Sequence, residues 1–241
     1  MLKRLKRFLI RWLIRLSLLS IVVAGIGFYV SPYKYQTPFY RWLYSYSDYK
    51  ILLADIKSKQ ENLKAEYAAA KTKKEKEKVL KNAQQVFEES FEEICKYWYG
   101  TKWSYSGTTQ IPGKGKIACG YFVSTILRDL GYPIDRIKMA QAASETLIRK
   151  TIDKKFIKVR VKKDFGDFME EVEEMGEGIY ILGLDTHIGF LFVDGKSTHF
   201  IHSSNSLLKG VRNQLAFSSG TIRRSEYRVV GQLQVKRWLL E

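Results

Sequence analysis

Cysteine is almost absent: Cys95 and Cys119 are the only two in 241 residues. Two thiols cannot staple a disulfide scaffold or supply a four-cysteine zinc site. Proline is also scarce, with 4 against 17 glycines, which excludes a proline-rich linker protein. Before Asp48 there is no acidic residue at all, whereas Lys3, Arg4, Lys6, Arg7, Arg11, Arg15, Lys34 and Arg41 all fall there. Histidine is confined to His187, His199 and His202. Against these absences stand 45% hydrophobic and 14% aromatic residues, enough apolar mass for a core, so a wholly disordered chain is excluded. The formal net charge of +16 suits an anionic partner: nucleic acid, anionic lipid or an anionic polymer. No nucleic-acid motif accompanies the charge, and nucleic acid is not expected as a partner.

The basic N-terminus runs into an uncharged stretch, Leu16 to Val30, reading LSLLSIVVAGIGFYV. Extended back to Phe8 it spans about 34 Å of helix at ~1.5 Å per residue. Arg11 and Arg15 near its basic end can snorkel to lipid headgroups. By the positive-inside rule the sequence predicts a single-pass membrane anchor, with the N-terminus in the cytoplasm and everything after Val30 across the membrane. The lipid bilayer is then an expected partner. A cleaved signal peptide has the same charged start, and Gly25 and Gly27 are small enough for a cleavage site before Phe28. The aromatic crowd that follows, from Tyr29 to Tyr46, favours the uncleaved anchor, because such rings suit a membrane–water interface.

Residues 48–98 hold no glycine or proline and read as two amphipathic helices. Three divisions are expected: 1–30, the basic N-terminus and transmembrane anchor (or signal peptide); 31–78, an aromatic juxtamembrane segment and helical stalk; and 79–241, a domain of mixed α and β. Within the last, a glycine- and threonine-rich loop leads to a helix opening at Cys119 and ended by Gly131. Further helices are expected over 139–150 and 164–175, with strands at 156–161, 179–184 and 227–235. A hairpin of 187–193 and 198–203 turns on Asp194-Gly195.

A thiol attacks as its thiolate, which a helix N-terminus favours. Cys119 stands at such a position. His187 opens a strand beside Gly189, which leaves space next to the ring, and can take the thiol proton. His202, on the partner strand, can orient that base from its far nitrogen. Cys95, on an apolar helix face, reads as a packed small hydrophobe. His199, three residues from His202 on a strand, faces the other way. Two alternatives stay open: Asn205 in place of His202, and a zinc site from the three histidines and a cysteine.

These residues resemble the NlpC/P60 family of papain-like cysteine peptidases of bacterial cell walls, over roughly Val86 to Ser204. Gly100-Thr101-Lys102-Trp103-Ser104-Tyr105-Ser106-Gly107 resembles the family's G-T-x-Y-x-x-G-G segment. Ile117-Ala118-Cys119-Gly120-Tyr121-Phe122-Val123 is similar to its D-C-S-G-F-V nucleophile motif, and Gly178-Ile179-Tyr180 to its G-D-L strand. His187-Ile188-Gly189-Phe190 matches H-V-G-I, and Phe200-Ile201-His202-Ser203-Ser204 matches F-I-H-A-S. Ala118 and Gly120 depart from the family's Asp and Ser, and Trp103 from its Tyr. The resemblance implies an α+β papain-like NlpC/P60 fold, with helices packed on a mostly antiparallel sheet after the anchor and stalk. It implies a Cys119–His187–His202 triad, substrate contacts from Trp103 and Tyr105, no metal or cofactor, and peptidoglycan or another anionic wall polymer as partner. The expected function is therefore a membrane-anchored cysteine hydrolase cleaving an amide bond in peptidoglycan stem peptides. The departures keep two others in view: an amidase, thioesterase or acyltransferase on another acyl group, and a non-catalytic membrane-tethered binding protein.

Overall fold

The computed structural model describes Ser17, Tyr35, residues 37–205 and residues 210–240. The first described helices are α1 (Pro38–Leu43), α2 (Tyr46–Ala69) and α3 (Lys73–Trp98). Each begins on a side-chain cap: Thr37, Ser45 and Thr72 accept from a backbone N–H of the first turn, and Thr72 with Glu75 forms a reciprocal capping box. Arg41 of α1 donates to the carbonyls of Tyr35, Tyr97 and Tyr99, which fastens α1 to the end of α3.

The segment expected to be a stalk is part of the core. Tyr49, Ile56 and Leu63, seven residues apart, form the buried stripe of α2. They join Phe87, Phe91, Ile94 and Trp98 of α3 in the main hydrophobic cluster. The Tyr49 hydroxyl donates to Asp129 at 2.6 Å and accepts from the Trp98 indole at 2.8 Å. The division expected at residue 79 falls inside α3.

The remaining elements are α4 (Cys119–Asp129), α5 (Arg136–Gln141), α6 (Ser144–Thr151), β1 (Ile157–Val161), α7 (Phe165–Glu174), β2 (Gly178–Leu184), β3 (Ile188–Val193), β4 (Thr198–Ser204), β5 (Gly210–Leu215), α8 (Gly220–Arg224), β6 (Tyr227–Gln232) and α9 (Val235–Leu240). The strands form one six-stranded sheet in the order β1-β6-β2-β3-β4-β5, antiparallel at every pairing. Alternation divides its side chains between two layers. Ile179, Ile181, Phe190, Phe192, Ile201 and Val229 join the cluster of α2, α3, α4 and α9. Tyr180, Leu182, Leu191, Phe200 and Val230 join that of α7 and α8. The expected α+β arrangement of helices on an antiparallel sheet is found.

Three expectations are corrected. The anchor comes first. Among the described residues no helix is long and apolar enough to cross a membrane. The described helices instead turn apolar stripes into the cores just given and carry charged residues elsewhere, such as Lys57 and Glu61 on α2. Residues 1–30, except Ser17, lie outside the described residues, and the transmembrane part of the fold and the membrane localisation are not carried forward. Second, the helix expected over 139–150 is two helices, because Ala142 and Ala143 adopt extended backbone (ψ 155° and 145°). Third, the last strand ends at Gln232, and α9 follows it.

Candidate active site

The backbone reaches α4 extended at Ala118 (ψ 162°), and Ala118 offers no side-chain cap, so the helix opens directly at Cys119. The approach is fixed from two sides. Ile117 and Ala118 donate to the carbonyls of Lys102 and Gly107. The Ser203 hydroxyl of β4 donates to the Ile117 carbonyl at 2.7 Å. Ser203 is the neighbour of His202, so β4 ties the loop before Cys119 to the strand carrying His202.

His187 sits at the β2–β3 turn. Asp185 anchors that turn: its carboxylate accepts from the Ser225 hydroxyl at 2.8 Å and from the backbone N–H groups of Glu226 and Tyr227. Those bonds hold the Asp185 carboxyl below its ordinary range, the Ser225 bond contributing most. His187 Nε2 lies 2.7 Å from His202 Nδ1, with the rings perpendicular. His202 is stacked on Phe200, with centroids 4.1 Å apart. The pairing requires a glycine on β3: a Cβ at Gly189 would sit 2.7 Å from the Phe200 ring and 2.8 Å from the His202 Cβ. Cys119 and His187 wall one cavity of ≈ 240 Å³, with Ala140, Ala142, Ala143 and Leu147. The break between α5 and α6 thus supplies the small-residue wall opposite the thiol.

Burial sets the charge states. It lowers His187 to about 4. It also holds His202 well below the usual imidazole range, with the His187 ring and Arg212 pushing the same way against a weaker opposing pull from Gln214. Arg212 stands directly across from His202 in the β4–β5 register. The Cys119 thiol is raised by desolvation, which outweighs the opposing N–H groups of Ile188, Gly120 and Cys119 itself. The helix start therefore does not produce a resting thiolate. At neutral pH the cavity therefore holds a neutral thiol and the neutral imidazole of His187, itself paired with a neutral His202.

The tautomers follow. For His187 to use Nδ1 as a base, its proton must be on Nε2 and be donated to His202 Nδ1. His202 then carries its own proton on Nε2.

The other sequence candidates are placed as follows. Cys95 is fully buried in α3, and burial raises its thiol. His199 has both nitrogens engaged, by the Ser197 hydroxyl and the Asn213 amide oxygen, each at 2.8 Å. Among the described residues no group of three or more His, Cys, Asp or Glu is placed to hold a metal. Asn205 is exposed just past β4, and it is His202 that contacts His187. Trp103 is half-buried and Tyr105 is 89% exposed; neither walls the Cys119 cavity. Sequence reasoning missed Arg212 and Gln214 because β5 reads Gly-Val-Arg-Asn-Gln-Leu, too polar to show a strand. It missed Asp185 because a carboxylate bonded to distant backbone leaves no local pattern.

The two thiols separate in one measurement. Cys119 is expected to alkylate at least tenfold faster than Cys95 with iodoacetamide in the native protein, because only Cys119 opens into a cavity. The Cys119 rate should rise with pH beyond neutrality, since its thiol is raised. Equal rates, read by peptide mass spectrometry, would remove Cys119 as the accessible nucleophile.

Compared with known proteins, the chain matches no family model, no curated protein and no solved structure.

Proposed function

We propose that this protein is a cysteine hydrolase that cleaves an amide bond through Cys119, His187 and His202. The supporting observation is the His187 Nε2 to His202 Nδ1 contact of 2.7 Å, made by the same imidazole that walls the Cys119 cavity. In the reaction His187 Nδ1 takes the Sγ proton as Sγ bonds to the carbonyl carbon. The Cys119 backbone N–H, which has no intrahelical acceptor at the helix start, is the donor to the charge that develops on the carbonyl oxygen. The tetrahedral adduct collapses, the C–N bond breaks, and the leaving nitrogen receives the proton from His187. Water, deprotonated by the same imidazole, then splits the thioester and restores the thiol. His202 holds the His187 tautomer throughout.

Because thiol and imidazole both rest neutral, proton transfer accompanies attack. The acid limb of kcat/KM then reports protonation of free His187 and is expected near pH 4.

The substrate class follows from the NlpC/P60 resemblance: the stem peptide of peptidoglycan, an anionic wall polymer that suits the positive charge of the chain. The test is incubation of the purified full-length chain with peptidoglycan. Soluble peptide fragments bearing new amines are expected, detected by mass spectrometry, and none from Cys119→Ala. Fragments released equally by Cys119→Ala, or by neither protein, would overturn the reading.

A further inference from the structure

The β2–β3 turn that walls the Cys119 cavity also walls a second cavity of ≈ 230 Å³. Leu184, Asp185, Thr186 and His187 wall both. The two cavities differ in chemistry. The first is walled by the methyl groups of Ala140, Ala142 and Ala143. The second is completed by Asn205, Thr221, Arg224 and Ser225, an amide, two hydroxyls and a guanidinium.

The charges of the second cavity are unequally committed. The Asp185 carboxylate accepts three hydrogen bonds from Ser225, Glu226 and Tyr227 at the start of β6. The arginine ion pairs among the described residues belong to Arg128, Arg149, Arg160 and Arg237. Arg224 has none, and it is exposed at the cavity. Its guanidinium lies back over the first residue of α8: a Cβ on Gly220 would come within 2.8 Å of Nη1. Glycine at that position leaves the space the guanidinium occupies.

Direction comes from the proton. In the hydrolase reading, on which this inference rests, the acyl half stays on Cys119 and the amine half departs with a proton from His187. The amine half therefore lies over His187, a residue that the second cavity shares. In an α-amino acid leaving group the carboxylate is two bonds from the departing nitrogen. We propose that the second cavity is the leaving-group subsite and that it binds a carboxylate through Arg224, selecting amides whose amine half carries a free carboxylate. Arginine suits this task because its planar fork meets both carboxylate oxygens at once.

The test separates binding from turnover. Full-length Cys119→Ala, which cannot form the thioester, is titrated by calorimetry with N-acetyl-alanyl-alanine, the terminal residue in either hand. The C-terminal amides of the same peptides serve as the comparison. The carboxylates are expected to bind at least about tenfold more tightly, the effect of one charge-assisted contact. Arg224→Gln in the same background is expected to erase that difference. Equal binding of acid and amide, no binding of either, or a preference that survives Arg224→Gln would overturn the subsite. The same peptides are then offered to the wild-type chain. Preference without hydrolysis would count against the hydrolase reading while the carboxylate site stands. Hydrolysis without preference would overturn the site and leave the hydrolase.

Discussion

His187→Ala is expected to lower kcat/KM about 10⁴-fold, nearly as far as Cys119→Ala, because it removes both the base that frees the sulfur and the acid that protonates the amine. In the proposed mechanism His202 moves no proton to substrate; its Nδ1 lies 2.7 Å from His187 Nε2 and, by accepting there, keeps His187 Nδ1 bare for the thiol. His202→Ala is therefore expected to cost less, on the order of 10²-fold. His202→Asn should retain more, since an amide oxygen can accept the same proton. His199→Ala should stay near wild type, because its ring is bonded to Ser197 and Asn213, away from the cavity. The measurement is kcat/KM for all the variants on one substrate, and the ranking carries the meaning, because groups acting as a unit are not additive. If His199→Ala proved as damaging as His187→Ala, the assignment of roles within the hairpin would be wrong.

The second large effect is on stability in acid. An unfolded histidine takes up its proton near pH 6.5, whereas the folded His187 resists until about 4. As pH falls from 6.5 to 4 the unfolded chain therefore binds a proton that the native chain refuses. Stability is full above that window and drains through it, by about 3 kcal/mol from His187 alone. His202, lowered by burial as well, drains it in the same direction. Glu171 acts lower: held down to about 2 mainly by Arg160, its contribution is present above the ordinary glutamate value and fades as pH falls below that value. Urea unfolding at pH 7 and pH 5 brackets this window, with about 2 kcal/mol expected from His187 against an opposing pull from Glu88 and Asp129, whose carboxyls burial raises. The variant His187→Asn should flatten the difference. A pH 7 to pH 5 difference unchanged by His187→Asn would contradict neutral burial of His187.

The parts of this architecture that are legible in the sequence are those with local signals. The 187–203 hairpin can be read because Asp194-Gly195 separates two apolar runs, and α4 because its apolar spacing starts at Cys119 and stops at Gly131. The His187–His202 contact is legible for the same reason, since the hairpin brings His187, just before β3, against His202 of β4. The rest depends on partners far along the chain. Nothing near Tyr49 announces that its hydroxyl bonds to Asp129, so a lysine- and glutamate-rich helix reads as a stalk. The α5–α6 break cannot be read from Gln-Ala-Ala-Ser, whose alanines favour helix. Tertiary contacts override that preference: Ser144 donates to the Leu184 carbonyl at the end of β2, and the alanines become a cavity wall. The charge states were opposite to the expectation from the helix start, because desolvation depends on what covers a group and not on its neighbours in sequence.

The helix α9 gives the fold an order in time. Trp238 is buried against Phe87 and donates from its indole to the Leu130 carbonyl at 2.6 Å, while its own carbonyl accepts from Gln60 of α2. Three early helices thus share a core residue made almost two hundred positions after the first of them begins. During synthesis α2, α3 and α4 emerge before the side chain that ties them together, so that part of their shared core stays open until α9 has been made. Contacts of that sequence separation are slow to form and leave partly built chains open to association. The core behind the pocket is in this sense completed by a tryptophan that does not line it.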